Sequence, residues 1–169
     1  MGAWTGLRFG DLNTLQPEEI QGADITRHMD KTGGKVVVPI NEVVRAILAK
    51  YADEGGMPPA LSNQKMNDYL KEACRMVPSL RTEVPLVLTI GGERVRQKIA
   101  KCELVTTHTA RRSFASNMYL KGVPARTIMA ITGHKTEQAF LSYIRLSPEE
   151  HANILRQYVE PEVKLKKVI

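Results

Sequence analysis

Two of the three pairs of adjacent glycines in this 169-residue chain lie between segments whose residues are typical of β-strands. These two pairs are Gly33-Gly34 and Gly91-Gly92. Because glycine tolerates the positive φ angles of tight turns, we expect the chain to reverse direction at each pair. We therefore predict small antiparallel β hairpins built from residues 23–29, 35–40, 84–90 and 94–99.

The remainder of the chain has the sequence signals of helices. Several Ser, Thr and Asn residues precede apolar residues at helical spacing, and their side chains are suited to cap a helix N-terminus. Helices are predicted after Asn41, Ser62, Thr107, Pro124, Thr136 and Ser147. The helical spacing after Ser62 places Tyr69 in the core. Residues 1–6 contain no complete element. The predicted fold class is α+β, mainly α-helical, with small antiparallel hairpins.

Composition is that of a soluble globular domain. Apolar residues make up 43% and charged residues 25% of the chain, which is enough for a hydrophobic core. No apolar run is long enough to cross a membrane, and no secretory leader is visible. The two cysteines, Cys74 and Cys102, have no motif spacing, so we expect free thiols in a reducing compartment.

The chain carries a formal net charge of +6, with a pI of about 9.4. A positive charge of this size is compatible with binding to nucleic acid. It is equally compatible with a merely basic soluble protein. Charge alone leaves both interpretations open until particular basic residues can be placed around a phosphate.

Four polar residues in the C-terminal half stand at suggestive intervals. His108 and Arg111 are three residues apart, so on a helix they share a face. Gly133-His134 follows later, and Tyr143 comes nine residues after the histidine. Taken singly, each fits an ordinary role, since His108 and Arg111 alone resemble the exposed basic start of a helix.

The N-terminal half completes an ordered set. Thr5-Gly6-Leu7-Arg8 is followed by Asp11, and Lys31 lies in the turn of the first hairpin. With His108-Thr109-Ala110-Arg111, Gly133-His134 and Tyr143, the chain resembles the catalytic domain of tyrosine recombinases of the phage integrase family. It is more similar to the integrases of phages and conjugative elements than to other branches. The resemblance covers nearly the whole chain.

The resemblance implies a site for one DNA phosphate. Arginine presents a planar fork of donors and stays charged, so Arg8 and Arg111 are assigned to the non-bridging phosphate oxygens. Tyr143 is the implied nucleophile. His108 or a neighbour would assist its proton transfer, and His134 would hydrogen-bond the phosphate.

The same resemblance assigns two further roles near the first hairpin. Lys31 is the implied general acid for the departing 5′-oxygen, with Lys35 in the same turn as the fallback. Asp11 would orient the basic site, although the family usually has Glu at this place.

The implied reaction yields a 3′-phosphotyrosyl link between DNA and Tyr143, so rejoining needs no ATP. We expect no cofactor and no metal. The four histidines, His28, His108, His134 and His151, are scattered without the spacing of zinc ligands.

Residues 1–169 are expected to form one catalytic domain that is N-terminally truncated, with the DNA-binding core and arm domains of the family absent. The implied partners are double-stranded DNA and further copies of the chain in a dimer or tetramer on DNA, while the chain alone is expected to be monomeric. The implied location is the bacterial cytoplasm, in association with the nucleoid. The tail after Pro161 either packs on a neighbouring protomer or frays.

Two alternatives remain open at this stage. A type IB topoisomerase-like nicking and closing enzyme would use the same residues and differ only in its products. A catalytically silent basic DNA-binding module would keep the fold without the chemistry.

Overall fold

The structure is a computed structural model that describes residues 1–29, 33–144 and 146–159. The α-helices are α1 (Gly2–Thr5), α2 (Phe9–Asn13), α3 (Glu42–Lys50), α4 (Asn63–Arg75), α5 (Thr107–Leu120), α6 (Ala125–Thr132), α7 (Glu137–Tyr143) and α8 (Pro148–Val159). The strands are β1 (Ile20–Gln21), β2 (Asp24–His28), β3 (Lys35–Pro39), β4 (Glu83–Ile90) and β5 (Glu93–Ala100). Within these ranges, no helix is both long and apolar enough to span a bilayer.

The first predicted hairpin is confirmed as β2 and β3, which pair antiparallel with Ile25 opposite Val38. Alternate residues of both strands are buried, and Ile25, Val36 and Val38 form a core cluster with Leu7. Strand β1 adds a third antiparallel strand at the edge of this sheet. It is only two residues long, which is too short for an alternating pattern to be recognised in sequence.

A second core cluster holds the C-terminal helices together. It is formed by Phe114 and Ala115 of α5, Ile128 of α6 and Phe140 of α7. The half-buried Ile131 packs against both clusters, so the small sheet and the helices share one interior.

Four of the predicted helix caps are confirmed. The side chain of Asn41 accepts a hydrogen bond from the Val44 amide at 3.0 Å, and that of Ser62 from the Lys65 amide at 3.2 Å. Thr136 and Ser147 accept in the same way from the amides of Ala139 and Glu150, both at 3.2 Å. Each accepts from the amide three residues ahead, which would otherwise lack a partner within the helix.

Three details differ from the sequence predictions. Residues 2–5 form a short helix, α1. It packs on α5, and a contact between segments so distant in sequence cannot be predicted from local residue patterns. The N-cap of α5 is Thr106, one residue earlier than predicted, because its side chain and that of Thr109 form a reciprocal capping box. Tyr69 lies on the surface with 48% of its area exposed, so the apolar face of α4 is narrower than its spacing indicated.

The second predicted hairpin is also confirmed, with β4 and β5 paired over eight residues each. Residues that lie directly opposite each other on the two strands project to the same face of the hairpin. One face is apolar and half-buried, whereas the other carries Arg94, Arg96 and Lys98, all exposed.

Gly6 ends α1 with a φ of 68°, a left-handed conformation that disfavours any side chain. A Cβ at this position would overlap the ring of Phe114, so α1 and α5 approach closely here. The turn that follows carries Arg8, and therefore this glycine sets where that arginine emerges.

We expect Gly6→Ala to lower the free energy of unfolding by about 2–4 kcal/mol, because strain at positive φ adds to overpacking against Phe114. Urea unfolding followed by circular dichroism measures the change. Gly10→Ala is the matched control, since a Cβ there meets nothing within 4 Å. Equal stability of the two variants would contradict the close packing of α1 on α5.

Candidate active site

The turn between α1 and α2 places Arg8 at the site. Leu7, only 1% exposed, anchors this turn in the core, and Arg8 follows as the N-cap residue of α2. Its Nη1 atom is buried and has no hydrogen-bond partner among the described residues. Asp11, 3% exposed, lies in the first turn of α2, three residues after Arg8. A buried, unmatched guanidinium nitrogen is suited to receive an anion from outside.

Helix α5 supplies Arg111, whose side chain is almost fully buried. Its Nη1 donates a 2.6 Å hydrogen bond to the carbonyl of Gly6, 105 residues earlier in the chain. Burial and the nearby charge of Arg8 lower the pKa of Arg111 to about 10, so it remains protonated at neutral pH. Two positive side chains are thereby held side by side.

Gly133, with a φ of 62°, ends α6 and turns the chain toward His134. The buried Thr132 hydroxyl donates to the Ile128 carbonyl at 2.8 Å and lies 2.8 Å from Nδ1 of His134. Because the hydroxyl proton is used by the carbonyl, the geometry favours a proton on Nδ1 that His134 donates to Thr132. Nε2 of the neutral ring is then free to accept a proton.

Tyr143 is the last residue of α7, and three side chains surround its ring. The ring centroids of His108 and His134 lie 5.2 and 4.8 Å from that of Tyr143. The guanidinium carbon of Arg112 lies 5.2 Å from the same centroid. Phe140, fully buried one turn earlier, fixes α7 against the core.

The Tyr143 hydroxyl is buried and makes no hydrogen bond of ordinary geometry within the described residues. Burial raises the pKa of Tyr143 above its usual value, while the positive charges of Arg111 and Arg112 act to lower it. Arg111 contributes most to this lowering. The free site therefore holds a neutral phenol at neutral pH, next to the charges that would stabilise its anion.

Both histidines have a lowered pKa in this surrounding. Burial is the largest cause for each. For His108, at the exposed edge of the site, Arg112, Arg111 and Arg8 add to the effect. For His134 the charges of Arg111 and Arg8 do so. Both rings are therefore mainly neutral at pH 7.

An open cleft of about 200 Å³ lies next to these side chains. Its lining residues are Arg8, Phe9, Thr107, His108 and Arg111. A second cleft, of about 320 Å³, is lined by His134 together with Arg126, Lys135 and Glu137. Each of the two clefts thus has two basic side chains besides a histidine in its lining.

The structure brings together Arg8, His108, Arg111, His134 and Tyr143, which sequence reasoning had selected from four separate segments. Lys31 lies outside the described residues. Lys35, the fallback, is exposed at the start of β3, opposite His28.

Sequence reasoning missed Arg112 and Thr132, both of which contact site residues. Arg112 was detectable in principle, because it stands four residues after His108 and so shares a helix face with it. The role of Thr132 depends on the geometry of the Gly133 turn, which gives no signal in sequence.

Comparison with solved structures identifies the fold. The chain superimposes on the crystal structure of XerA recombinase with a TM-score of 0.67 at 17% identity, covering 94% of this chain and 55% of that one. XerH site-specific recombinase, in a post-cleavage complex with a palindromic difH substrate, gives a TM-score of 0.63 at 14% identity. That match covers 94% of this chain and 44% of XerH. The architecture is that of a tyrosine recombinase catalytic domain.

Sequence comparison identifies the family. Residues 3–150 match the model of the phage integrase family, and the chain therefore belongs to that family. Tyrosine recombinase XerC of Rickettsia bellii is 21% identical over 143 residues, which cover 85% of this chain and 44% of the relative. The chain thus spans less than half the length of this relative.

The shared site can be tested in the protein alone. We expect Arg8→Ala to raise the pKa of both His108 and His134, because removing a nearby positive charge favours protonation of each ring. A pH titration of the four histidines by NMR measures this, with His28 and His151 as internal references and Lys121→Ala as the charge-matched control. Unchanged titration of both site histidines would show that Arg8 lies apart from them.

Proposed function

We propose that this chain cleaves and rejoins DNA strands through a 3′-phosphotyrosyl intermediate on Tyr143. One observation carries the proposal: the Tyr143 ring is in contact with His108 and His134, and His108 lines an open cleft together with Arg8 and the buried Arg111. A scissile phosphate in that cleft would be in reach of both its positive charges and the phenolic oxygen.

The two arginines would act on the charge that develops during attack. The Tyr143 oxygen forms a bond to phosphorus, the bond to the 5′-oxygen breaks, and negative charge increases on the non-bridging oxygens. Arg111 is already fixed by its bond to Gly6, so its remaining donors need no reorganisation to meet that charge. Preorganised donors of this kind each contribute roughly 3 kcal/mol to a transition state.

Two protons must move for the step to balance. The phenolic proton of Tyr143 passes to His108 or a neighbour, and the neutral ring of His108, in contact with that of Tyr143, can accept it. The departing 5′-oxygen takes a proton from Lys31, with Lys35 as the fallback donor. Religation reverses both transfers, and the bond to Tyr143 conserves the energy of the phosphodiester.

His134 would change its protonation when DNA binds. With Nδ1 donating to Thr132, its Nε2 can hydrogen-bond a phosphate oxygen only after taking up a second proton. The charges of Arg111 and Arg8 disfavour that proton in the free protein, and a bound phosphate would offset them.

The proposed substrate is double-stranded DNA, and the proposed assembly is a dimer or tetramer of this chain on it. The net charge of +6 and the basic borders of the site support the first part. The XerH structure, described as bound to its difH substrate after cleavage, shows a protein of the same fold engaged with DNA. A location on the bacterial nucleoid would follow from this substrate.

Tyr143→Phe should abolish covalent attachment to DNA, because the phenyl ring keeps the packing and lacks the attacking oxygen. A library of nicked duplexes with randomised sequence, which traps the intermediate, provides the substrate. After proteolysis, mass spectrometry of the DNA-linked peptide locates the bond. Tyr119→Phe, also half-buried in the same helical cluster, is the control.

The products decide between the related activities. Exchange of strands between two duplexes indicates recombination, whereas relaxation of supercoiled plasmid without exchange indicates a type IB topoisomerase-like activity. Binding to duplexes with no adduct from any of them would contradict the proposal and leave a silent DNA-binding module.

We also propose that the basic face of the β4–β5 hairpin contacts the DNA backbone. Arg94, Arg96 and Lys98 occupy alternate positions of β5, so their side chains project together from one face. The opposite partners on β4, Thr89, Val87 and Pro85, carry no charge that would neutralise them. Strand β5 ends shortly before α5, the helix that carries His108 and Arg111.

Replacing Arg94, Arg96 and Lys98 by Gln should weaken DNA binding and make it less sensitive to salt. Each lost phosphate contact reduces the slope of log K against log salt by about 0.9, so three contacts reduce it by about 2.7. Fluorescence anisotropy at several salt concentrations measures the slope. The control removes the same charge from three separate elements, at Lys50, Lys121 and Arg156; an equal change of slope there would exclude a specific role for the hairpin.

A further inference from the structure

Arg112 holds a positive charge against the ring of Tyr143. Its guanidinium carbon is 5.2 Å from the ring centroid, within the range of a cation–π contact. Among the described residues it forms no ion pair, and its buried Nε has no hydrogen-bond partner. The contact with Tyr143 is therefore the main interaction that the structure shows for this charge.

The position of Arg112 differs from that of the two phosphate-binding arginines. Arg8 and Arg111 line the open cleft, whereas Arg112 is absent from its lining. It lies one turn after His108 on α5, and these two side chains contact the Tyr143 ring from the same helix. His134 contacts the ring from a different segment. The ring is thus enclosed, with a cation on one of its sides.

We propose that Arg112 is a positioning residue for the nucleophile: its guanidinium keeps the Tyr143 ring in the assembled site and stabilises the phenolate as attack proceeds. This inference rests on the proposed role of Tyr143 as nucleophile. The neutral ring attracts the cation only through its quadrupole. As the phenolic proton leaves, the side chain acquires negative charge, mainly on its oxygen, and a direct attraction between opposite charges is added. The contact therefore strengthens toward the transition state, which is the condition for raising a rate.

The charge of Arg112 also acts on the acceptor of the phenolic proton. It is the largest charge effect among those that lower the pKa of His108. A neutral His108 is the form that can accept a proton, so the same side chain favours the anion of Tyr143 and the free base beside it. No carboxylate within the described residues contributes to the pKa shift of His108 or Tyr143.

The first test needs no DNA. Tyrosine labelled at Cζ gives five NMR signals, one for each tyrosine of the chain, and Tyr143→Phe identifies the relevant one. We expect Arg112→Met to shift the Tyr143 titration to higher pH, Arg112→Lys to restore most of the shift, and Lys121→Met to leave it unchanged. Titration of Tyr143 in Arg112→Met that matches the unaltered chain would overturn the proposal. Arg112→Gln serves the same comparison if the methionine variant loses its folded amide spectrum.

The second test uses the trapped adduct. At pH 7 we expect Arg112→Met to form the Tyr143 adduct about tenfold more slowly, with the rate recovering as the pH rises and in Arg112→Lys. A purely structural residue would instead lower the rate equally at every pH, and the lysine variant would give no rescue. Absence of adduct in the unaltered chain would count against the proposed function, while the NMR titration would still decide the role of Arg112.

Discussion

The hydrogen bond from Arg111 to the carbonyl of Gly6 is the interaction on which the arrangement of this site depends. It joins the turn that precedes Arg8 to helix α5 across 105 residues of chain, and the Arg111 side chain is almost fully buried. Gly6 makes it possible, because its left-handed conformation and missing side chain let α1 approach Phe114 closely. The same turn then directs Arg8 to the cleft beside Arg111. Gly6 therefore determines three features together: the packing of α1 on α5, the backbone turn after α1 and the position of the Arg8 charge.

The site concentrates positive charge before any substrate arrives. Arg8 and Arg111 act on both histidines and on Tyr143, and Arg112 acts on His108 and Tyr143. Burial and mutual repulsion lower the pKa of Arg111 and leave both histidines mainly neutral. Clustered positive charges repel one another in the free protein, and a bound anion would remove this repulsion. In a structural ion-pair network, by contrast, carboxylates of the protein already neutralise the cations. The half-buried phenol of Tyr143 lies close to these positive charges, which would stabilise the anion that we propose it forms during attack.

Local features of the fold were predictable from sequence, and features that depend on distant contacts were not. The helix caps at Asn41, Ser62 and Thr136 and both hairpins follow from residue types within a few positions. Helix α1 was missed because its contacts are with α5, and β1 because it has only two residues.

The site residues emerged from the order of motifs rather than from any one of them, and the structure brings five of them to one place. Arg112 and Thr132 were missed because their roles arise from the ring of Tyr143 and the turn at Gly133, which only three-dimensional packing defines.

The measurement that tests the account most directly is a crystal structure of the chain with a nicked duplex and orthovanadate, which imitates the pentacoordinate phosphorus of the transition state. The account predicts vanadium bonded to the Tyr143 oxygen, with its equatorial oxygens within hydrogen-bond distance of Arg8, Arg111 and His134. Vanadate and the nicked strand bound at another surface, with the cleft between Arg8 and Arg111 left empty, would contradict it.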